Sequence, residues 1–503
     1  MTAWVGVVVN NASPTSADQI AMSELCYLSI AEASRLIATR KISPLELTQA
    51  HLDRIHKLDG HLLSLITLTS EIALTDARRA TEEVLHGRLL GPLHGIPVTY
   101  KDTLATAGVR TTAASRVYEH WVPDKDSNVV ARMRQARSVL LGKANLSEFS
   151  FAGGSGDQDF MKPPRNPWNA DYSSGGSSNG SAVGVAAGLA MASVGADSGG
   201  SIRIPAAHCG VVGFKPTYGL IGRSGEIPLS YSVGHLGPLT RSVEDAAILL
   251  ECLAGFDPRD RASIRTQVPP YWKLLSSKPA GLRLGLCSSY MDAVGMHSEV
   301  ASFFEDAVNV FRSLGFPIHE VSVPHLNYAC AASYNNIMRI EAFCTHFQNF
   351  RDPAIRRKYG HAFRNIARGG FLTTLDYFRA QQARALISAE LATAFQDIDV
   401  LLTPTTPSPP SAITVASAEK QISDRLGTDP KVNRTNFMHE AAYTSPFNLT
   451  GNPVLSVPSG FTSRGLPVGM QLIARPLQEA SLLSLGHQYQ LATDWHRRRP
   501  PLR

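Results

Sequence analysis

Between Asp171 and Gly219 the chain reads DYSSGGSSNGSAVGVAAGLAMASVGADSGGSIRIPAAHCGVVGFKPTYG, a run saturated with glycine, serine and alanine. Small side chains at helical spacing through SAVGVAAGLAMA let a helix lie almost against neighbouring backbone, and the flanking glycines give the dihedral freedom for tight turns. Helix packing accounts for the alanines. It does not account for paired glycines placed just before serines, as in Gly199-Gly200-Ser201. Such a pair is either a turn-rich loop or a concavity of backbone N–H groups able to hold an anion or oxyanion.

The rest of the chain frames that run as α/β. Apolar positions recur at helical spacing from Leu28 onward, with Ser43-Pro44 as a helix-entry signal. GIPVTYKD (95–102) and SVLLGKANL (138–146) read as short buried strands, the second following a helical segment. The alternation returns after residue 280, where GLRLGLC, PIHEVSVP, DIDVLLTP, NPVLSVPSGF and VGMQLIA read as strands around helical stretches at 299–314, closed by Gly315, and about 325–396. The expected architecture is one α/β domain over 26–503, a twisted mixed sheet with helices on both faces. Residues 1–25 read as an extension and the region of about 290–400 as helical decoration.

Charge and cysteine usage narrow the class. The net charge of +6 invites a nucleic-acid reading, but the basic residues read as dispersed apart from the tail HRRRPPLR, and no aromatic-basic RNA motif occurs. The six cysteines show no metal-type spacing, which fits a reduced, cytoplasmic setting. No apolar run is long enough for a membrane span, and the N-terminal run lacks a basic flank for export. Neither a nucleic-acid nor a membrane partner is expected.

A nucleophilic serine needs a base. GSSNG around Ser178 formally matches a nucleophile elbow, yet the residues before it are polar and turn-rich where a buried strand is required. LLGKAN fails as a phosphate loop because Arg137 and Ala144 stand where glycine and Ser/Thr belong. Lys101 follows the apolar GIPVTY at a strand end. It is either a lysine that snorkels to solvent or one whose burial makes it a neutral base near pH 7.

The stretch 175–219 resembles the signature of the amidase signature family of serine hydrolases. It is accompanied in the family's order by LHGIPVTYKD, LLGKANLSEF, RNPWN, GPLTRSVEDAAILL, DVLLTPTTP and NLTGNPVLSVPSGF. The resemblance implies a Ser-cisSer-Lys triad: Ser201 as nucleophile, Ser177 as the bridging serine after a cis Gly176-Ser177 peptide, and Lys101 as base. It implies an oxyanion hole from the N–H groups of Ser198, Gly199, Gly200 and Ser201. Asp197 and Arg203 would brace the loop as an ion pair, and Cys209 would be a small buried residue. The implied reaction needs neither metal nor organic cofactor: an amide is cleaved to a carboxylic acid and ammonia or an amine through an acyl-enzyme on Ser201.

Two positions depart from the family. Asn179 replaces a glycine and is expected to keep the geometry by accepting a left-handed conformation. Gly234 stands where relatives commonly carry aspartate before H-x-G-P, which removes a carboxylate from the substrate side. Phe149, Ser150, Phe151, Tyr231 and Phe447 are candidates for an apolar or aryl-accepting pocket, each of which could equally be core. A small-molecule linear amide, with an aryl or acyl preference, is the expected substrate and a homodimer the expected assembly. Ester or carbamate hydrolysis by the same triad, the glutamine-hydrolysing subunit of a tRNA-dependent amidotransferase, and a catalytically silent scaffold are the alternatives.

Overall fold

The computed structural model describes residues 22–151, 160–276, 279, 281–413 and 440–502. The first helices form for reasons visible in their caps. Ile30–Ala38 begins with Ser29 and Glu32 in a reciprocal capping box, and Pro44–Leu62 repeats the device with Ser43 and Glu46. Most of the proposed extension, 1–21, lies outside the described residues. Met22–Leu25 is a helical turn whose Leu25 is buried.

Eleven strands make one mixed sheet: β1 (Leu65–Leu68), β2 (Pro97–Lys101), β3 (Val139–Ala144), β4 (Ala192–Asp197), β5 (Val212–Lys215), β6 (His235–Thr240), β7 (Leu284–Leu286), β8 (Ile318–Glu320), β9 (Val400–Pro404), β10 (Val454–Phe461) and β11 (Pro467–Ala474). Their order is β1-β3-β2-β4-β6-β5-β10-β11-β9-β7-β8. Period-two alternation sends neighbouring side chains to opposite faces. Leu140 of β3 joins a large cluster with Val98, Tyr100 and Val194, whereas Val139 and Leu141 join a second one built on Ala182, Val183 and Ala186.

The site depends on β2 and β4, which run parallel with Val98 opposite Ala192 and Tyr100 opposite Val194. Both therefore end at the same edge of the sheet. β2 delivers Lys101 there, and β4 delivers Asp197 and the turn to Ser201. Openings at the carboxyl ends of parallel strands are where α/β sheets bind ligands.

Two expectations need correcting. The stretch 325–396 is not one helical run: a π-helical segment, Ala331–Met338, leads into Arg339–Arg351, then come short turns, and Thr374–Asp397 follows. Pro353 and the Gly369-Gly370 pair break the pattern. The region 290–400 is also more than decoration, because β8 lies inside it and pairs with β7 at the sheet edge.

Candidate active site

Lys101 is fully buried at the end of β2, and its Nζ donates to Ser177 Oγ at 2.7 Å and to the Ala196 carbonyl at 3.5 Å. Burial pushes the lysine down to about 7, against the opposing influence of Glu226 and Asp197. Its chain neighbour Asp102 does not neutralise it. That carboxylate is turned to Lys143, 3.2 Å away, and accepts from Thr112 Oγ1 at 2.6 Å.

Ser177 follows a cis peptide from Gly176, and the next residue turns into the helix Asn179–Ala186. Ser178 N–H donates to the Ser201 carbonyl at 3.0 Å, and Ser178 Oγ donates to Ala196 O at 3.0 Å. The turn that carries Ser177 is thereby fastened to the backbone of both the Ser201 loop and β4. Gly180 is small for a reason: a Cβ there would lie 2.5 Å from Ser64 O and 2.6 Å from Asn145 N. Asn179 is the first residue of the helix and is not left-handed, contrary to expectation. Helix entry needs ordinary right-handed dihedrals, and its Oδ1 accepts from Gly180 N–H at 3.2 Å.

Asp197 organises the loop beyond β4. It pairs with Arg203 Nε at 2.9 Å and Nη2 at 3.1 Å, with both side chains wholly buried. Burial alone would raise the carboxyl, but the Arg203 guanidinium overrides it and holds the group well below the usual carboxylate range. Asp197 Oδ1 also accepts from Gly200 N–H at 2.6 Å. That N–H is spent on the carboxylate, which leaves Ser198, Gly199 and Ser201 of the four backbone donors the resemblance implies. Gly200 itself has φ +128, and a Cβ there would lie 2.7 Å from Ile204 Cδ1.

A third segment closes the loop from behind. Thr444 Oγ1 and Ser445 Oγ donate to Gly199 O at 2.7 and 3.2 Å. Asn448 Nδ2 donates to Asp197 Oδ1 at 2.8 Å while its Oδ1 accepts from Arg203 Nη2 at 2.6 Å. Sequence reasoning missed these three residues. SPFNLTGNP carried only a family resemblance, and nothing local announces a contact 251 positions away.

The expected pocket residues divide. Phe149 is buried against Tyr118, His346 and Tyr359, and Phe447 is fully buried, so both belong to the core. Phe149 and Ser150 have φ of +50 and +60, which turns the chain sharply there. Phe151 meets Tyr334 edge-on at 5.6 Å, and Tyr334 Cδ2 is 3.9 Å from where a Cβ of Gly199 would stand. Tyr334 had no signal in the sequence, yet it is an aromatic side chain beside the Gly199-Gly200 turn. Tyr231 is half exposed over the Arg223 guanidinium. At Gly234 a Cβ would lie 2.5 Å from Ser230 O and 2.8 Å from Arg223 Nη1, so the position has closed around glycine. Cys209 is wholly buried, and burial pushes its thiol far up, which leaves it inert.

A mixed eleven-stranded sheet carrying a buried lysine, a serine after a cis peptide and a glycine-framed serine at one edge defines a class of amide-cleaving α/β enzymes. The family model described as Amidase matches residues 46–483, and the chain belongs to the amidase signature family. It is 39% identical over 503 residues to a glutamyl-tRNA(Gln) amidotransferase subunit from Moorella thermoacetica, covering 95% of this chain and 99% of that one. Among solved structures it is similar to a bacterial aryl acylamidase of the same family at TM-score 0.84 and 25% identity, covering 94% of this chain and 98% of that one. The corresponding amidotransferase subunit from Thermotoga maritima gives TM-score 0.69 at 31% identity, with 93% of each chain covered.

Proposed function

We propose that this chain is an amidase that hydrolyses linear carboxamides through an acyl-enzyme on Ser201. The observation that carries the reading is the 2.7 Å contact between fully buried Lys101 and Ser177. Neutral Lys101 takes the Ser177 proton as Ser177 takes that of Ser201, whose Oγ attacks the amide carbonyl. The oxyanion forms against the N–H groups of Ser198, Gly199 and Ser201. Lys101 then returns its proton through Ser177 to the departing nitrogen, and water cleaves the ester by the reverse relay. Asp197 and Arg203 hold the loop and touch no reacting atom. Tyr334, beside Gly199 and in edge contact with Phe151, favours a flat aryl or apolar group on the substrate.

Fluorophosphonate labelling with peptide mass spectrometry tests the relay. The adduct is expected on Ser201 and absent in Ser201→Ala. Labelling should fall by about 10²–10⁴-fold in Lys101→Ala or Ser177→Ala. Undiminished labelling without Lys101 sinks the mechanism.

The second reading is the glutamine-hydrolysing subunit of an amidotransferase, favoured by 39% identity along nearly the whole length of such a protein. The higher TM-score to a stand-alone acylamidase, 0.84 against 0.69, supports the first reading. Hydrolysis of an anilide by the purified chain alone separates the two: an inert chain that releases ammonia from glutamine only with partner proteins belongs to the second. Esters and carbamates with good leaving groups are expected to react at the same serine.

A further inference from the structure

The helix Thr374–Asp397 buries Ala380, Ile387, Leu391, Ala394 and Phe395 against the body of the protein. At about 100° per residue those positions share one face, while Leu375, Phe378 and Leu386 fall on the opposite one. That outer face should be polar, yet the three side chains are 53%, 57% and 47% exposed. Just upstream Phe371 is 86% exposed, the most exposed large apolar side chain among the described residues. The patch continues onto the helix Arg339–Arg351. A Cβ at Gly370 would lie 2.7 Å from the Phe343 ring, and that ring is 5.8 Å from the half-exposed Phe347. Single exposed apolar residues are ordinary; a row of them is an interaction surface.

The same segment is strongly basic. Residues 351–379 contain Arg351, Arg356, Arg357, Lys358, Arg364, Arg368 and Arg379, all exposed, against only Asp352 and Asp376. Both acids are engaged as helix caps, Asp352 accepting from Ala354 N–H and Asp376 bonded to Thr373. The segment therefore carries nearly all of the chain's net +6, and the expectation of dispersed basic residues is corrected by this cluster.

Charge decides among the occupants. A second copy meeting the same face across a twofold axis would bring these cations against their own equivalents. Single-stranded nucleic acid would use the cations and stack on Phe371 and Phe378, but it would leave the protruding Leu375 and Leu386 in water. Protruding leucine and phenylalanine in a segment rich in exposed arginine and lysine match an interface in which apolar groups enter acyl chains while the cations meet lipid headgroups. We propose that the face formed by Phe371, Leu375 and Phe378, with the exposed basic residues of 351–379, docks this enzyme on an anionic lipid surface. Surface docking needs no membrane span, and among the described residues no helix is long and apolar enough to be one; the expectation of no membrane partner is what the proposal revises.

Co-sedimentation of the full chain with vesicles of phosphatidylcholine, alone or with about a third phosphatidylglycerol, tests the proposal. Binding to the anionic vesicles should be at least about tenfold stronger, should weaken with salt, and should be lost in the double variant Phe371→Glu, Phe378→Glu. Both side chains are exposed, so that variant should keep its thermal unfolding temperature and its reactivity with fluorophosphonate. Equal partitioning onto both vesicles overturns the proposal, as does binding that the double variant leaves intact. So does light scattering that finds a dimer dissociated by the same variant, or RNA binding that competes fully with the vesicles.

Discussion

Lys101 is caught between two demands, because the burial that lowers its proton affinity also costs folding energy. Only the neutral amine can take a proton, so kcat/KM is expected to rise through an apparent pKa near 7 and then level off. Stability follows the same group. Between about 7 and its ordinary 10.5 the unfolded chain holds a proton that the folded chain has lost, so stability contributed by this residue rises with pH across that window. Below 7 both states are protonated and the buried charge costs most. Lys101→Met should therefore raise the unfolding temperature, more at about pH 6 than at about pH 9, while abolishing labelling of Ser201. A smaller gain at the lower pH would show that the lysine is not buried as a charge. Asp197→Asn behaves oppositely: it leaves Arg203 buried with only neutral partners and should destabilise by about 3–5 kcal/mol, read by denaturant unfolding.

Among the elements, the helix Asn179–Ala186 and strands β2 and β4 hold the site's geometry. Gly180→Val would drive branched carbons into Ser64 O and the Asn145 backbone, so a loss of about 1–3 kcal/mol is expected, together with slower Ser201 labelling because Ser177 sits at the head of that helix. Gly184→Ala on the same helix has room, its nearest contact being Ser64 Oγ at 3.7 Å, and should change little. The helix and strands β2 and β3 were legible in the sequence because their signals are local: short apolar runs in GIPVTYKD and SVLLGKANL, and small residues through SAVGVAAGLAMA; β4 was not, since its residues lie in the same small-residue run and the helical spacing was read on to Ala192, past the helix end at Ala186. The short strand β1 was not legible, since LITL has no distinguishing period and becomes a strand only by pairing with β3. Tyr334 and Asn448 escaped notice for a related reason. Their roles come from where the chain brings them, and no spacing within their own segments encodes that. Phe149 and Phe447 show the converse, apolar residues next to site motifs that the fold uses as core.

Over the whole molecule, the proposed site is assembled from distant thirds of the chain: the proposed base from residue 101, the serines from 177 and 201, and the clasp from 444–448. Arg203 reaches Asn448 across 245 positions. At a synthesis rate of about 5–20 residues per second, that separation is roughly 12–50 s on the ribosome. During that interval the nascent chain already contains Lys101, Ser177 and Ser201 but not the side chains that hold the loop between Asp197 and Arg203. A fragment ending at residue 439 is accordingly expected to take up no fluorophosphonate on Ser201, although every reacting group is present. On the proposed relay, the clasp would make the reactivity of Ser201 depend on a segment synthesised some 245 residues after Arg203.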